Sequence, residues 1–271
     1  MTEHPKALLD RAGLAPKKSL GQNFLFDENI LNRICDLAEV GPQDTVLEIG
    51  PGLGALTRRL AARSREVVTV ELDDRFLPLL EDELRDYANV RLVHGDILDQ
   101  DPAALIERPY KVIANVPYYI TGAILRHLLS GEHKPTQMVL TVQDEVAQRI
   151  TAVPPAMSLL AVSVQYYGPV ARVMNIKAGA FWPRPDVDSA VVRIDVASSA
   201  GEPQSEEQFF RVVRAGFSQK RKQLQKNLRQ LGYDRQQTAK ALAEAGIDGR
   251  RRAETVTLDE WRRLVNALYA A

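Results

Sequence analysis

The chain is poor in cysteine, in long apolar runs and in net charge. Cys35 is the only cysteine among 271 residues. A lone thiol forms no intramolecular disulfide and builds no cysteine-based metal site, so a reducing compartment, the cytoplasm, is the expected setting. The four histidines, His4, His94, His127 and His133, have no ligand-like spacing with acids, and no metal is expected. No apolar run approaches the roughly 20 residues that span a bilayer. The opening Met-Thr-Glu-His-Pro-Lys also has none of the apolar stretch and cleavage site of a secretion signal. A membrane is therefore not an expected partner.

The zero net charge, 35 Lys and Arg against 35 Asp and Glu, conceals a gradient. Residues 201–271 hold 14 basic and 9 acidic side chains, a surplus of five that the first 200 residues reverse. From Phe209 to Tyr233 the basic residues Arg211, Arg214, Lys220, Arg221, Lys222, Lys226 and Arg229 meet no acid. A charge run is ordinarily a solvated helix face. One without any compensation fits a phosphate backbone better, and Lys220, Arg221, Lys222 and Lys226 are the candidate contacts to such a polyanion.

What is present is a regular alternation of strand-like and helix-like stretches. Strands are expected at 45–49, 67–71, 90–94, 111–114 and 137–142, and helices at 55–63, 75–87, 121–130 and 144–151. That rhythm means βαβ units and a parallel sheet covered by helices. Further strands are expected at 162–167, 171–176 and 190–196, closing the sheet with an antiparallel edge. The small, polar stretch 196–205 reads as a linker. Helices follow at 206–215, 220–231, 235–245 and 258–267. The expected architecture is an α/β Rossmann-like domain over residues 1–197 and a small all-helical C-terminal domain over 198–271.

The sharpest local signal is Val46-Leu-Glu-Ile-Gly-Pro-Gly-Leu-Gly54. Its glycines, at i, i+2 and i+4, follow a strand and open a helix, where doubly wound sheets bind nucleotide-like ligands. The spacing departs from the dinucleotide fingerprint, whose backbone N–H groups wrap a pyrophosphate. A tighter loop suits a carboxylate and a ribose laid against Gly50. Glu48 offers a carboxylate for a ligand ammonium. Glu71, ending the second strand, is placed to accept both hydroxyls of a ribose. Asp96, after the third strand, is placed to accept from an adenine amino group. Each acid alone reads as a solvated loop residue; together they describe a site for S-adenosylmethionine.

Asn115-Val-Pro-Tyr118 closes the fourth strand. The exocyclic amine of adenine is a poor nucleophile because its lone pair is delocalised into the ring. Accepting its N–H groups at the Asn115 amide oxygen and at a backbone carbonyl beside Pro117 favours a pyramidal nitrogen. Proline supplies no N–H and fixes φ, which aims that carbonyl. Tyr118 offers a flat face for an extruded base. The plain reading of the same tetrapeptide is a turn followed by a core tyrosine. Cys35 reads as core, and the Tyr166-Tyr167 pair as sheet packing.

These motifs belong to a recognisable set. Lys17-Lys-Ser-Leu-Gly-Gln-Asn-Phe-Leu25, Glu48-Ile-Gly-Pro-Gly-Leu-Gly-Ala-Leu-Thr57, Gly95-Asp96, Asn115–Tyr118, Phe181-Trp-Pro-Arg-Pro-Asp-Val-Asp-Ser189 and Gly216-Phe-Ser-Gln-Lys-Arg-Lys-Gln-Leu224 lie in both expected domains. From about residue 14 onward the sequence resembles the adenine dimethyltransferases of small-subunit ribosomal RNA. The resemblance implies an S-adenosylmethionine-dependent methyltransferase acting on two adjacent adenines near the 3′ end of 16S rRNA, within a precursor of the small subunit. It implies cofactor contacts from Asn23, Leu25, Gly50, Glu71, Asp96 and Asn115, so that residues 1–25 contribute to the cofactor site. It implies a catalytic set of Asn115, Pro117, Tyr118 and Phe181, with Phe181 stacking on the target base opposite Tyr118. Residues 152–157 look shorter than the loop usual there, and 224–228 differ modestly in wording. Lys17 and Lys18 flank the expected cofactor entrance, as RNA contacts or as a solvated tail. A monomer is expected. Two other readings stand beside this one: a 23S rRNA adenine methyltransferase of the macrolide-resistance type, and a ribosome-assembly factor with little catalysis.

Overall fold

A computed structural model describes residues 3–197 and 205–269. Residues 198–204, most of the expected linker, lie outside the described residues. Two compact units emerge, one formed by 1–147 with 169–196 and the other by 148–168 with 197–271. The C-terminal part of the second unit begins within one residue of the expected division at 197/198, and the segment 148–168, expected with the sheet, groups with it.

The first unit is built on β1 (Thr45–Ile49), β2 (Glu66–Glu71), β3 (Val90–His94), β4 (Tyr110–Asn115), β5 (Gln137–Gln143), β6 (Val170–Ile176) and β7 (Ser189–Asp195). Their spatial order is β3-β2-β1-β4-β5-β7-β6. The pairs among β1 to β5 are parallel. β7 runs antiparallel to both β5 and β6, giving the closing edge that the alternation predicts. Every residue of β1 is buried, as expected for a central parallel strand covered on both faces. The chain order reverses between β1 and β4, so the carboxyl ends of those strands flank the crevice where such sheets take their ligands.

A two-residue ribbon pairs Phe24 with Trp182 and Leu25 with Phe181, antiparallel. The helix Pro5–Ala12 buries Leu8 and Leu9 in a cluster with Phe24, Leu53, Phe76 and Leu80. The N-terminal segment is therefore anchored at both ends before it reaches the sheet. Cys35 is fully buried in the main core, on the helix Glu28–Leu37, and burial pushes its thiol up to about 11.

In the second unit, the strand expected at 162–167 is part of a helix, Leu159–Gln165. Ser158 caps it by accepting the Ala161 N–H at 3.1 Å, and the Gln165 side-chain amide donates to the carbonyls of Ile150 and Ala152 at 2.9 Å. Capping and burial of Ala161, Val162 and Val164 outweigh the β-preference of the branched residues. Tyr166 and Tyr167 accordingly pack on Phe209 and Phe210 rather than on a sheet. The single helix expected at 220–231 is broken. Gln219–Lys222 is a turn, followed by a short helix Leu224–Asn227 and a 3-10 turn to Leu231. Asn227 holds this turn by donating to the Gly216 carbonyl at 2.6 Å and to the Gln219 carbonyl at 3.1 Å. Gly216 itself has no room for a side chain, since a Cβ there would lie 2.3 Å from the Trp261 ring.

Candidate active site

β1 delivers Glu48 and then the turn Gly50-Pro-Gly-Leu-Gly54 to the crevice. Gly50 and Gly52 take left-handed backbone, φ 67° and 58°, which a side chain would strain. At Gly52 a Cβ would also meet the Phe24 ring at 3.0 Å. The loop thus lies closely under the N-terminal segment, leaving a cleft whose walls include Asn23, Leu25, Gly50, Glu71, Asp96, Asn115 and Pro117. All six expected cofactor residues border this one cleft.

Glu71 is buried at the end of β2. Its carboxylate accepts the Asp73 N–H at 2.8 Å and the Gly52 N–H at 3.3 Å, binding strand end and glycine loop together. Burial pushes its pKa up, against those two N–H groups. Asp96 accepts the Leu98 N–H with one oxygen, at 2.9 Å, which fixes the side chain beyond β3.

Glu48 is 1% exposed and its Oε2 has no hydrogen-bond partner, although the residue borders the cleft. Burial pushes its carboxyl up to about 7, with the Thr57 and Thr69 hydroxyls acting in the opposite direction. A buried acid with an unpaired oxygen beside a glycine turn is what a ligand's cationic group would satisfy. The donor set therefore fits an amino-acid-bearing nucleoside such as S-adenosylmethionine: an acid for the ammonium, a close-approach turn, and two further carboxylates at successive strand ends.

Asn115 ends β4. Its Nδ2 donates to the main-chain carbonyl of Asn23 at 3.1 Å, while Asn23 donates its own amide to the Gly21 carbonyl at 3.2 Å. With its N–H group committed, Asn115 presents Oδ1 as an acceptor. The Pro117 carbonyl accepts the Ile120 N–H at 3.3 Å and the Thr121 hydroxyl at 3.4 Å. Tyr118 starts the 3-10 turn Tyr118–Ile120, and its side chain lies outside what the structure describes. Tyr119, which the sequence reading did not place in the site, borders the cleft with 59% of its surface exposed.

Phe181 stands apart from this group. It is 2% exposed, packed in the core cluster with Leu31, Ile34 and Val191, and paired with Leu25. It does not border the cleft, so stacking on a base would require it to leave this packing. In the second unit Lys220, Arg221, Lys222 and Lys226 are all exposed, the first three on the turn after Phe217. Lys17, expected as an RNA contact or a solvated tail, has its ammonium 3.6 Å from the buried Asp73 carboxylate. Sequence reasoning missed Gln22 and Asp73, which meet at 2.8 Å across 51 residues of chain. No local pattern signals such a pairing.

Among the described residues, no group of three or more His, Cys, Asp or Glu is arranged to hold a metal ion, and no helix is long and apolar enough to cross a membrane.

The family model for ribosomal RNA adenine dimethylase matches residues 13–270. The ribosomal RNA small subunit methyltransferase A of Moorella thermoacetica is 45% identical over 275 residues, covering 97% of this chain and 96% of its own. That of Dehalococcoides mccartyi is 43% identical over 263 residues, covering 96% and 90%. Among solved structures, the 23S rRNA methyltransferase ErmE superposes with a TM-score of 0.73 at 31% identity, covering 91% of this chain and 99% of its own. A dimethyladenosine transferase from Plasmodium falciparum shares the fold, with a TM-score of 0.77 at 23% identity, covering 89% and 95%. The chain belongs to the ribosomal RNA adenine dimethylase family.

Proposed function

We propose that this protein transfers methyl groups from S-adenosylmethionine to the N6 atoms of two adjacent adenines near the 3′ end of 16S rRNA, giving N6,N6-dimethyladenosine in a precursor of the small subunit. It acts as a cytoplasmic monomer. The observation that carries the reading is the Asn115 amide, held by Asn23 with its oxygen free at the edge of the acid-lined cleft. The greater identity to small-subunit methyltransferases than to the 23S enzyme ErmE favours the small-subunit substrate over the macrolide-resistance reading.

When bound, the cofactor supplies an electrophilic methyl group on a sulfonium. Glu48 would meet its ammonium, the Gly50–Gly54 turn its carboxylate, Glu71 its ribose and Asp96 its adenine, with Asn23 and Leu25 covering it. Asn115 Oδ1 accepts one N–H of the target amine. The second acceptor is the Val116 carbonyl, because that of Pro117 is engaged by Ile120 and Thr121. Two acceptors on one amine draw its nitrogen toward a pyramidal geometry and expose the lone pair. No base is needed before transfer: the nitrogen–methyl bond would form as the sulfonium carbon–sulfur bond breaks to a neutral thioether, and the N–H, acidic only as that bond forms, then loses its proton to water. Positioning is the main source of acceleration, on a scale of ~10⁵–10⁸ M effective molarity. Tyr118 supplies the stacking face for the extruded base, and Phe181 joins it if its ring turns out of the core. Lys220, Arg221, Lys222 and Lys226 hold RNA phosphates independently of base sequence.

Single-turnover transfer to small subunits that lack the adenine methyls tests this directly. Asn115→Ala should abolish transfer while cofactor binding stays measurable. Wild-type turnover in that variant would refute the mechanism.

A further inference from the structure

Between its two anchors, the helix Pro5–Ala12 and the ribbon at Phe24 and Leu25, the strap that covers the cleft is clasped at Asp73. Gln22 donates its side-chain N–H to Asp73 Oδ2 at 2.8 Å and accepts the Lys17 N–H on Oε1 at 2.7 Å. The Arg75 guanidinium grips the same carboxylate with Nε and Nη2, at 2.8 and 2.6 Å, and its Nη1 donates to the Ala15 carbonyl at 3.3 Å. The Asp73 side chain has no exposed surface, and these cationic partners hold its pKa well below the usual carboxylate range. Three points of the strap, at residues 15, 17 and 22, therefore converge on one buried carboxylate and its guanidinium.

The clasp is adjacent to the chemistry in both directions. One residue beyond Gln22, the Asn23 carbonyl receives the Asn115 amide at 3.1 Å. On the other side, the Asp73 N–H donates to Glu71 Oε1 at 2.8 Å. Three hydrogen bonds, joined covalently through Asp73 and through the Gln22–Asn23 backbone, thus link the acid assigned to the ribose to the amide assigned to the target amine.

We infer that Gln22 is a positioning residue for methyl transfer: by fastening the strap to Asp73 it fixes the Asn23 carbonyl, and so holds the Asn115 amide with Oδ1 toward the acceptor amine. This rests on the reading of Asn115 as the group that receives that amine. Without the clasp the Asn23 carbonyl drifts, the amide is free to rotate, and its N–H group faces the target amine for part of the time. Two donors then oppose each other. The loss falls on the rate of transfer, because an error of about 1 Å in a reacting geometry costs up to ~10²-fold. Cofactor affinity is largely spared, since Glu48, Gly50, Glu71 and Asp96 lie outside the strap and Leu25 is pinned by its pairing with Phe181.

Gln22→Met keeps the length of the side chain and removes both its donor and its acceptor. The expected result is a kcat at least about tenfold below wild type, with the S-adenosylmethionine dissociation constant changed by less than about threefold. In an Asn115→Ser background the same change should have little further effect on the transfer rate, because the amide it orients is gone. Wild-type kcat in Gln22→Met, or a dissociation constant that rises in step with the loss of rate, overturns the inference; that comparison is decisive even where the serine variant is too slow to follow. An undiminished tenfold loss in the serine background also overturns it. Wild-type transfer by Asn115→Ser alone would instead refute the underlying role of Asn115.

Discussion

Asn115 donates its side-chain N–H to the carbonyl of Asn23, 92 residues earlier in the chain and 3.1 Å away. This bond decides which end of the amide faces the cleft. Asn115→Asp replaces the donor by a second carboxylate oxygen, which is repelled by the Asn23 carbonyl. Transfer should fall by at least about 100-fold, the scale of losing one oriented polar group in a reacting site. Equilibrium binding of S-adenosylmethionine should persist. Measuring the two separately, by single turnover and by calorimetry, checks the assignment.

Glu48 predicts a pH-dependent stability. Its folded pKa, about 7, lies above the ordinary 4.5 because burial favours the neutral acid. Between those values the folded protein holds a proton that the unfolded chain has released, so stability is fully present below pH 4.5 and declines as pH rises through 7. The decline attributable to this group is on the order of 3 kcal/mol. Glu48→Gln has no such titration, and the difference between variant and wild type in urea unfolding at pH 5 and pH 8 should reveal it.

The same acid couples cofactor binding to protons. If Glu48 meets the ligand ammonium as a carboxylate, binding releases a proton at neutral pH. S-adenosylmethionine should then bind about fivefold more weakly at pH 6 than at pH 7, where its α-amino group is still protonated, in proportion to the ionised fraction of the acid. Equal affinity at both values would separate Glu48 from the ammonium.

The basic turn predicts a salt effect confined to RNA. Neutralising Lys220, Arg221 and Lys222 should weaken binding to small-subunit RNA and lower the slope of log K against log salt by about 2–3 if all three meet phosphates. Free cofactor should bind unchanged. An unaltered slope would remove this turn from the RNA footprint.

Gly216→Ala should destabilise the helical unit, since its methyl group would sit 2.3 Å from the Trp261 ring. The Trp261 side chain is fully buried, and overpacking of this kind costs about 1–3 kcal/mol. A lowered midpoint in thermal unfolding is the expected observation.

The parallel sheet was legible because its strands and helices alternate with clean periodicities; the helix expected at 121–130 spans Thr121–Ser130. The glycine turn and its acids were legible because their spacing along successive strand ends is local. Three features were not. The helix Leu159–Gln165 carries valines that mimic a strand, and only its Ser158 cap and its burial distinguish it. The break at Gln219–Lys222 depends on Asn227 reaching back to Gly216, a contact that no helical periodicity reports. The clasp of Gln22 on Asp73, like the burial of Phe181, arises from tertiary packing between distant segments.

The most direct test supplies purified protein and labelled S-adenosylmethionine to small ribosomal subunits lacking the adenine methyls, with 23S rRNA in parallel, and identifies the nucleosides formed. The predicted result is N6,N6-dimethyladenosine at two adjacent positions in the 3′-terminal fragment of 16S rRNA and none in 23S rRNA. Label confined to 23S rRNA, or no transfer to either despite cofactor binding, would contradict the account.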